Sequence, residues 1–395
     1  MTTTPTKQVI EEANALIEQD KLLEAARLLR TIKDDNDNTD SVLTDQHRKI
    51  LTQAIELESI VQEFRSEPGE EWSRHYEHHH GFDVMVYFKA DHGRLTSRCE
   101  SPIEPDLLVP LLSVFNETSL FCTWLPRWEM PLRMGVRSTA KLQQDGRVNQ
   151  RMKAITDVPW PMKAREAIID VVAVDEIDRN GVIVVRMTTP ESTVANDNDN
   201  DGSDGDTNND DGDTNNDDGV PEVEEGCVRI DFHGGLVFQK CPKDHPALVR
   251  ANKKKQKNKK KTKKADDDGN HTNDDDDEEE EASETDSDMI LCGVSTFVDA
   301  KVAFVPVALI NFVTKTVIGR MWAQTLAVAR DVRDGKRPDH STAIQESKEV
   351  YDWVASRAEV LLGQLGETDG NGNAGENANV NTEANVDVDA KQDDE

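Results

Sequence analysis

The sequence predicts an α+β chain in which about nine strands form a curved antiparallel sheet wrapped around a long C-terminal helix. Three observations predict it. Apolar residues recur at helical spacing near both ends, β-branched runs punctuated by turn residues fill the middle, and long polar stretches fall between strands where loops are tolerated.

The N-terminal 67 residues read as a helical extension. Val9, Ala13, Leu16 and Ile17 share one face, followed by Leu22, Leu23, Ala26, Leu28 and Leu29 and then the stretch from Ile50 to Phe64. ANALIEQDKLLEAARLLR is loosely similar to one tetratricopeptide helix pair. A single pair cannot bury a solenoid core, so two or three helices packed on the main domain, or used as a docking face for a protein partner, are expected.

From Trp72 the pattern turns to strands. FDVMVYFKA and GRLTSRCES give two, Glu104 to Glu117 a helix with a proline-marked start, and VRSTAKLQQDGRVNQRMKAI a hairpin turning at Asp145-Gly146. Ala167 to Val174 and Val182 to Met187 are expected to form a tight hairpin on the positive φ angles of Asn180-Gly181. CVRIDFHGGLVFQK reads as a strand pair, and Met289 to Val298 as the last strand. The long helix then starts near Pro306, with Ile310, Val313, Val317, Met321, Val328 and Val332 in one stripe and Ile318 close by. Thr342 to Leu365 reads as a final amphipathic helix through Ile344, Val350, Val354, Ala358, Leu361 and Leu365.

This gives a map of an extension over residues 1–67, a main domain over 68–338 with disordered inserts at about 191–225 and 252–288, a helix over 339–365 and an acidic tail over 366–395. The two inserts and the tail carry −14, −5 and −8, leaving only about −5 of the formal −32 for the rest. The acidity therefore describes loops and tail rather than a binding surface. Cys99, Cys122, Cys227, Cys241 and Cys292 are odd in number without CxxC spacing, which argues against a disulfide framework or zinc knuckle and for a reducing compartment. MTTTPTKQ lacks a basic flank before an apolar core, and Asn311, Lys315 and Arg320 make Val302 to Ala323 too polar for a bilayer span. A cytoplasmic protein, peripheral to membranes, is expected.

Few residues carry recognisable reaction chemistry. Asp197 to Gly202 matches half an EF-hand loop, but its twelfth position is Asn208 and no helices flank it. His75, His78, His79 and His80 crowd together without carboxylates at ligand spacing, so an exposed polar stretch is expected and no metal. No nucleophile elbow or glycine-rich phosphate loop is present, and no nucleic acid or cofactor is implied. The run from Lys253 to Lys264 reads first as a solvated loop screened by the acids after it, second as a reversible anionic-membrane contact, and otherwise as a nuclear localisation signal.

One stretch stands apart. In DVPWPMKARE, Pro159 and Pro161 remove backbone donors on either side of Trp160, so this indole belongs to a stiff loop at the mouth of the sheet rather than within it. Together with Trp72 before the first strand, the run from Leu120 to Trp128, and FVDAKVAFVPVALINFVTK, this loop resembles the steroidogenic acute regulatory protein-related lipid transfer (START) family over roughly Glu70 to Asp334 once the inserts are removed. The resemblance implies a helix-grip fold and a lipid or sterol tunnel gated by the loop over Thr156 to Lys163 against the C-terminal helix. It departs from the family where Asp299-Ala300-Lys301 is followed by Val302 rather than glycine.

On that resemblance Trp160 and Met162 press on Ile310, Val313, Val317, Ile318 and Met321, and Gln150 and Asp170 are the candidate polar residues of the tunnel. The function it implies is a non-enzymatic carrier of one lipid that meets membranes transiently. Two alternatives stay open: an interaction scaffold whose wrapped sheet is filled by its own side chains, with partner-binding helices and charged loops, and an enzyme of the wider helix-grip superfamily acting on a hydrophobic substrate.

Overall fold

The computed structural model describes residues 5–35, 43–91, 94–128, 133–147, 149–190, 220–253, 289–299, 301 and 317–367. Three helices lead the chain: α1 (Pro5–Glu18), α2 (Leu22–Asp35) and α3 (Asp45–Arg65). Thr44 caps α3, its hydroxyl accepting from His47 N at 3.3 Å while Thr44 N donates to His47 Nδ1 at 3.2 Å. The other nitrogen of that ring lies 2.9 Å from Asn14 Oδ1, which ties α3 to α1.

The strands are β1 (Ser73–His79), β2 (Phe82–Asp91), β3 (Arg94–Ile103), β4 (Arg127–Trp128), β5 (Met134–Asp145), β6 (Asn149–Asp157), β7 (Ala164–Glu176), β8 (Val182–Thr188), β9 (Cys227–Arg229), β10 (Asp231–Lys240) and β11 (Ile290–Asp299). They form a single sheet of order β1-β2-β3-β11-β10-β8-β7-β6-β5-β4 with antiparallel neighbours, while β9 pairs in parallel with β7. Between β3 and β5 lie α4 (Leu108–Asn116) and the short α5 (Phe121–Trp124). After β11 come α7 (Ile318–Arg333), α8 (Pro338–Glu346) and α9 (Lys348–Glu367). The chain is thus α+β in the helix-grip arrangement, a curved antiparallel sheet closed over a C-terminal helix.

Both faces of the central strands are covered. Leu236, Phe238, Ile183 and Val185 point to the face that holds Trp322, Leu326, Ala329 and Leu111, whereas Val237, Val182, Val184, Val172 and Val174 point to Leu29, Leu57 and Val61 of the N-terminal helices. Successive side chains of a strand face opposite ways, so a strand covered on both sides reads as an unbroken apolar run such as VIVV. Arg98 on β3 fixes the end of α3, its guanidinium donating to the carbonyls of Glu63, Phe64 and Ser66. These are carbonyls that the end of a helix leaves open.

Several expectations need correction. Asn180-Gly181 is not a two-residue turn: Ile177–Asn180 form one helical turn, α6, and only Gly181, at φ 62°, is left-handed. Asp175 Oδ1 accepts from Ile177 N at 3.0 Å, so the acidic residue before the turn favours a helical start over a two-residue turn, and β7 and β8 still pair as an antiparallel hairpin. Residues 227–240 do not fold back on themselves, because β9 crosses to β7 while β10 lies between β8 and β11. Two of the eleven strands, β4 and β9, are two and three residues long, too short for an alternation pattern to show. The final helix is broken at Ser347 into α8 and α9. The expected helix start near Pro306 lies outside the described residues, as do the half EF-hand loop and all of the lysine run beyond Lys253.

Candidate functional site

A cavity of about 990 Å³ lies between the concave face of the sheet and helices α4, α5, α7 and α9. Its length follows from strand geometry. Gln150, Met152, Ala154 and Thr156 of β6 all line it, and the six residue steps from Gln150 to Thr156 span roughly 20 Å of strand. Ala167, Ile169, Val171 and Ala173 of β7 line it beside them, so the wall is largely apolar.

One end is formed by the β6–β7 loop. Val158, Pro159 and Met162 of that loop and Val317, Ile318 and Met321 at the start of α7 all line the cavity, so four of the residues singled out in the sequence lie on its wall. Ile310 and Val313 lie outside the described residues. Trp160 does not press inward: 89 % of its surface is exposed and it is absent from the cavity wall. Pro159 and Met162 take the inward positions of this tight turn, closed by Met162 N donating to Pro159 O at 3.2 Å, and the two residues between them, Trp160 and Pro161, are exposed. Beside the loop, Asp157 is shared by Arg133 at 2.9 Å, Arg137 at 2.8 Å and Arg127 at 3.8 Å. Burial alone would raise the Asp157 pKa, but the arginines hold its carboxyl below the usual range.

The other end is polar and latched. Arg147 in the β5–β6 turn reaches Asp20 between α1 and α2 at 3.1 Å and stacks over Trp353 of α9 at 5.0 Å. Arg357 of α9 pairs with Asp175 and, at 2.7 Å, with Asp178. Gln19, Asp20, Lys21 and Glu24 line this end, so the N-terminal helices take part in the cavity. Nothing in their helical periodicity marks a turn residue as a wall residue.

Gln150 lines the cavity; Asp170 does not. Strand parity explains the difference, since Ile169 and Val171 face inward and Asp170 therefore faces the N-terminal helices, where Arg151 holds it at 2.6 and 3.0 Å. The sequence reading missed Trp322 and Trp124. Trp322 donates its indole N–H to Ser101 Oγ at 3.2 Å and stacks on Phe115 at 6.2 Å between centroids. The signal was the Trp322-Leu326-Ala329 spacing, about one residue round the helix from the stripe through Met321.

The cavity offers poor nucleophiles. Burial pushes the Cys99 thiol far up, and Ser97 Oγ shares its hydrogen bond with Thr296 Oγ1 at 2.7 Å rather than with a base. The histidines also lie otherwise than expected, because His75, His78 and His79 are on β1 with Glu77 between them. His79 Nε2 lies 3.0 Å from Glu77 Oε2, His75 Nε2 3.5 Å from Oε1, and His78 Nδ1 2.9 Å from Asp83 Oδ1. Among the described residues no group of three or more His, Cys, Asp or Glu is placed to hold a metal.

Fold and site define a helix-grip chain with an elongated internal apolar cavity. Neither a family model nor a curated protein matches the sequence. Among solved structures, the chain is similar to human STARD10, at 11 % identity and TM-score 0.41 over 75 % of this chain and 84 % of that one. It is similar also to human StAR-related lipid transfer protein 5, at 12 % identity and TM-score 0.39 over 71 % and 97 %. A STAR-related lipid transfer protein fragment from Xanthomonas axonopodis matches at 15 % identity and TM-score 0.36 over 66 % and 99 %.

Proposed function

We propose that the protein is a non-enzymatic carrier that holds one lipid or sterol in this cavity and exchanges it at a membrane. The cavity itself supports the reading. At about 990 Å³ it has the size of a lipid-sized ligand site, whereas a scaffold filled by its own side chains leaves no such space. Transfer of acyl or ring surface from water into the apolar wall is favourable by roughly 25 cal/mol per Å².

Exchange proceeds through the mouth between the β6–β7 loop and the start of α7. Trp160, exposed at the tip of that loop, enters the headgroup region, where an indole gains burial while its N–H stays solvated. Arg127, Arg133 and Arg137 cluster beside it around the single carboxylate of Asp157, and a basic cluster favours approach to an anionic leaflet. Parting of Met162 from Ile318 and Met321 then opens the rim.

Filling the cavity tests the reading. Ala154→Trp should leave a cooperatively melting protein that no longer takes a fluorescent sterol or acyl probe from vesicles. Uptake at the wild-type rate by that variant contradicts it.

A further inference from the structure

Several of the polar groups around the cavity are already held by partners within the protein. Ser97 bonds Thr296, Trp322 bonds Ser101, Thr325 Oγ1 donates to Met321 O at 2.9 Å, and the Tyr351 hydroxyl donates to Glu117 Oε1 at 2.6 Å. The charged groups of the far end are neutralised in pairs, Arg147 with Asp20 and Arg357 with Asp175 and Asp178. Trp124 Nε1 and Gln150 Oε1 have no partner among the described residues. Both side chains line the cavity, at 8 % and 7 % exposure.

A buried polar group without a hydrogen bond has lost its hydration with nothing in exchange, so an occupant that completes the bond gains twice. The two orphans ask for different things. An indole N–H only donates, so Trp124 needs an oxygen to accept from it, and the Gln150 amide oxygen only accepts, so it needs a donor. Hydrocarbon offers neither, an ether or ester oxygen only accepts, and a hydroxyl does both. Neither orphan is a loose surface group: the Trp124 ring is set edge-on to Phe121 at 5.5 Å, and Gln150 sits within the sheet between Gln144 and Val171.

Resting on the carrier reading, we propose that the cavity selects an uncharged lipid bearing a hydroxyl, with Trp124 and Gln150 as the residues that determine this specificity. A graded set of probes separates the two contacts. Oleyl alcohol donates and accepts, its methyl ether only accepts, cis-9-octadecene does neither, and oleate carries a charge.

Each probe is presented to the full chain in phosphatidylcholine vesicles, and its occupancy is read by native mass spectrometry. The expected order is alcohol above ether above alkene, with about a five- to tenfold step at each deletion. Gln150→Leu should remove the first step and Trp124→Phe the second, while binding of the alkene persists in both. Equal binding of the alcohol, ether and alkene by the wild-type protein overturns the proposal and leaves the carrier reading standing; it is also what water satisfying both groups produces. Preference for oleate overturns it in favour of an anionic ligand. Binding of none of the four removes the carrier reading and the proposal together.

Discussion

Gly293 on β11 lies directly beneath the ring of Phe64 at the end of α3, so close that a Cβ at position 293 would overlap Cε1 and Cδ1 of that ring. The same helix approaches β10 at Gly235, where a Cβ would stand 2.5 Å from Ile60 Cγ2. These two glycines let the N-terminal helices dock flat on the sheet. Gly293→Val should therefore cost about 1–3 kcal/mol by overpacking, read as a drop in the urea midpoint. Gly363→Ala, in α9 with open space around it, should be neutral or stabilising by up to about 1 kcal/mol. Equal effects at the two positions contradict the close docking of α3.

Acid should loosen the same junction. Burial favours the neutral form of Glu100, but the hydrogen bond with His245 at 3.0 Å and the adjacent Arg98 lower its pKa below the ordinary 4.5. A carboxyl whose folded pKa is lowered stabilises the fold above its unfolded value, and that contribution is lost as the pH falls through the folded one. Asp157 and Glu166 are lowered likewise by their arginine and lysine partners, while Glu63, raised by burial, acts in the opposite sense. Stability should hold from neutral pH down to about 4.5 and fall below it. Glu100→Gln should be less stable at neutral pH and flatter in acid, and an unchanged acid slope would remove Glu100 from the account.

Thiol chemistry distinguishes the walls from the surface. Cys122 is exposed, whereas Cys99, Cys227, Cys241 and Cys292 are buried and burial raises all four pKa values, that of Cys241 to about 12. At mildly alkaline pH a thiol reagent should label one cysteine quickly and the other four only on unfolding. Rapid labelling of Cys99 would mean that the cavity wall opens to water.

Trp160 should matter for exchange and not for stability. Because its ring is exposed, Trp160→Ala should change the unfolding free energy by no more than about 0.5 kcal/mol. Uptake from vesicles should slow several-fold, and more on anionic than on neutral ones. A large loss of stability would place the ring against the protein after all.

Much of this was legible in the sequence, and the failures have physical causes. The β2, β3, β5, β6 and β11 runs and the Asp145-Gly146 turn follow from β-branched patterning and turn chemistry, which are local. The β9 crossing to β7 is not local, and three residues cannot announce a partner. For the site, Met162, Val317, Ile318 and Met321 could be singled out because rigid-loop and stripe signals both survive in sequence, and all four line the cavity. Asp170 failed on strand parity, which a run apolar on both faces conceals. Trp160 was placed on the right loop but facing the wrong way, since two flanking prolines fix a loop's stiffness and not the direction of the side chain between them.

The central claim is that the cavity between the sheet and α7 holds one lipid. Native mass spectrometry of the intact chain after equilibration with mixed-lipid vesicles and removal of the vesicles tests it most directly. The expected result is a single adduct of lipid mass at one-to-one stoichiometry, lost in Ala154→Trp and kept in Trp160→Ala. A spectrum of bare protein only, from a sample that still melts cooperatively, would contradict the claim.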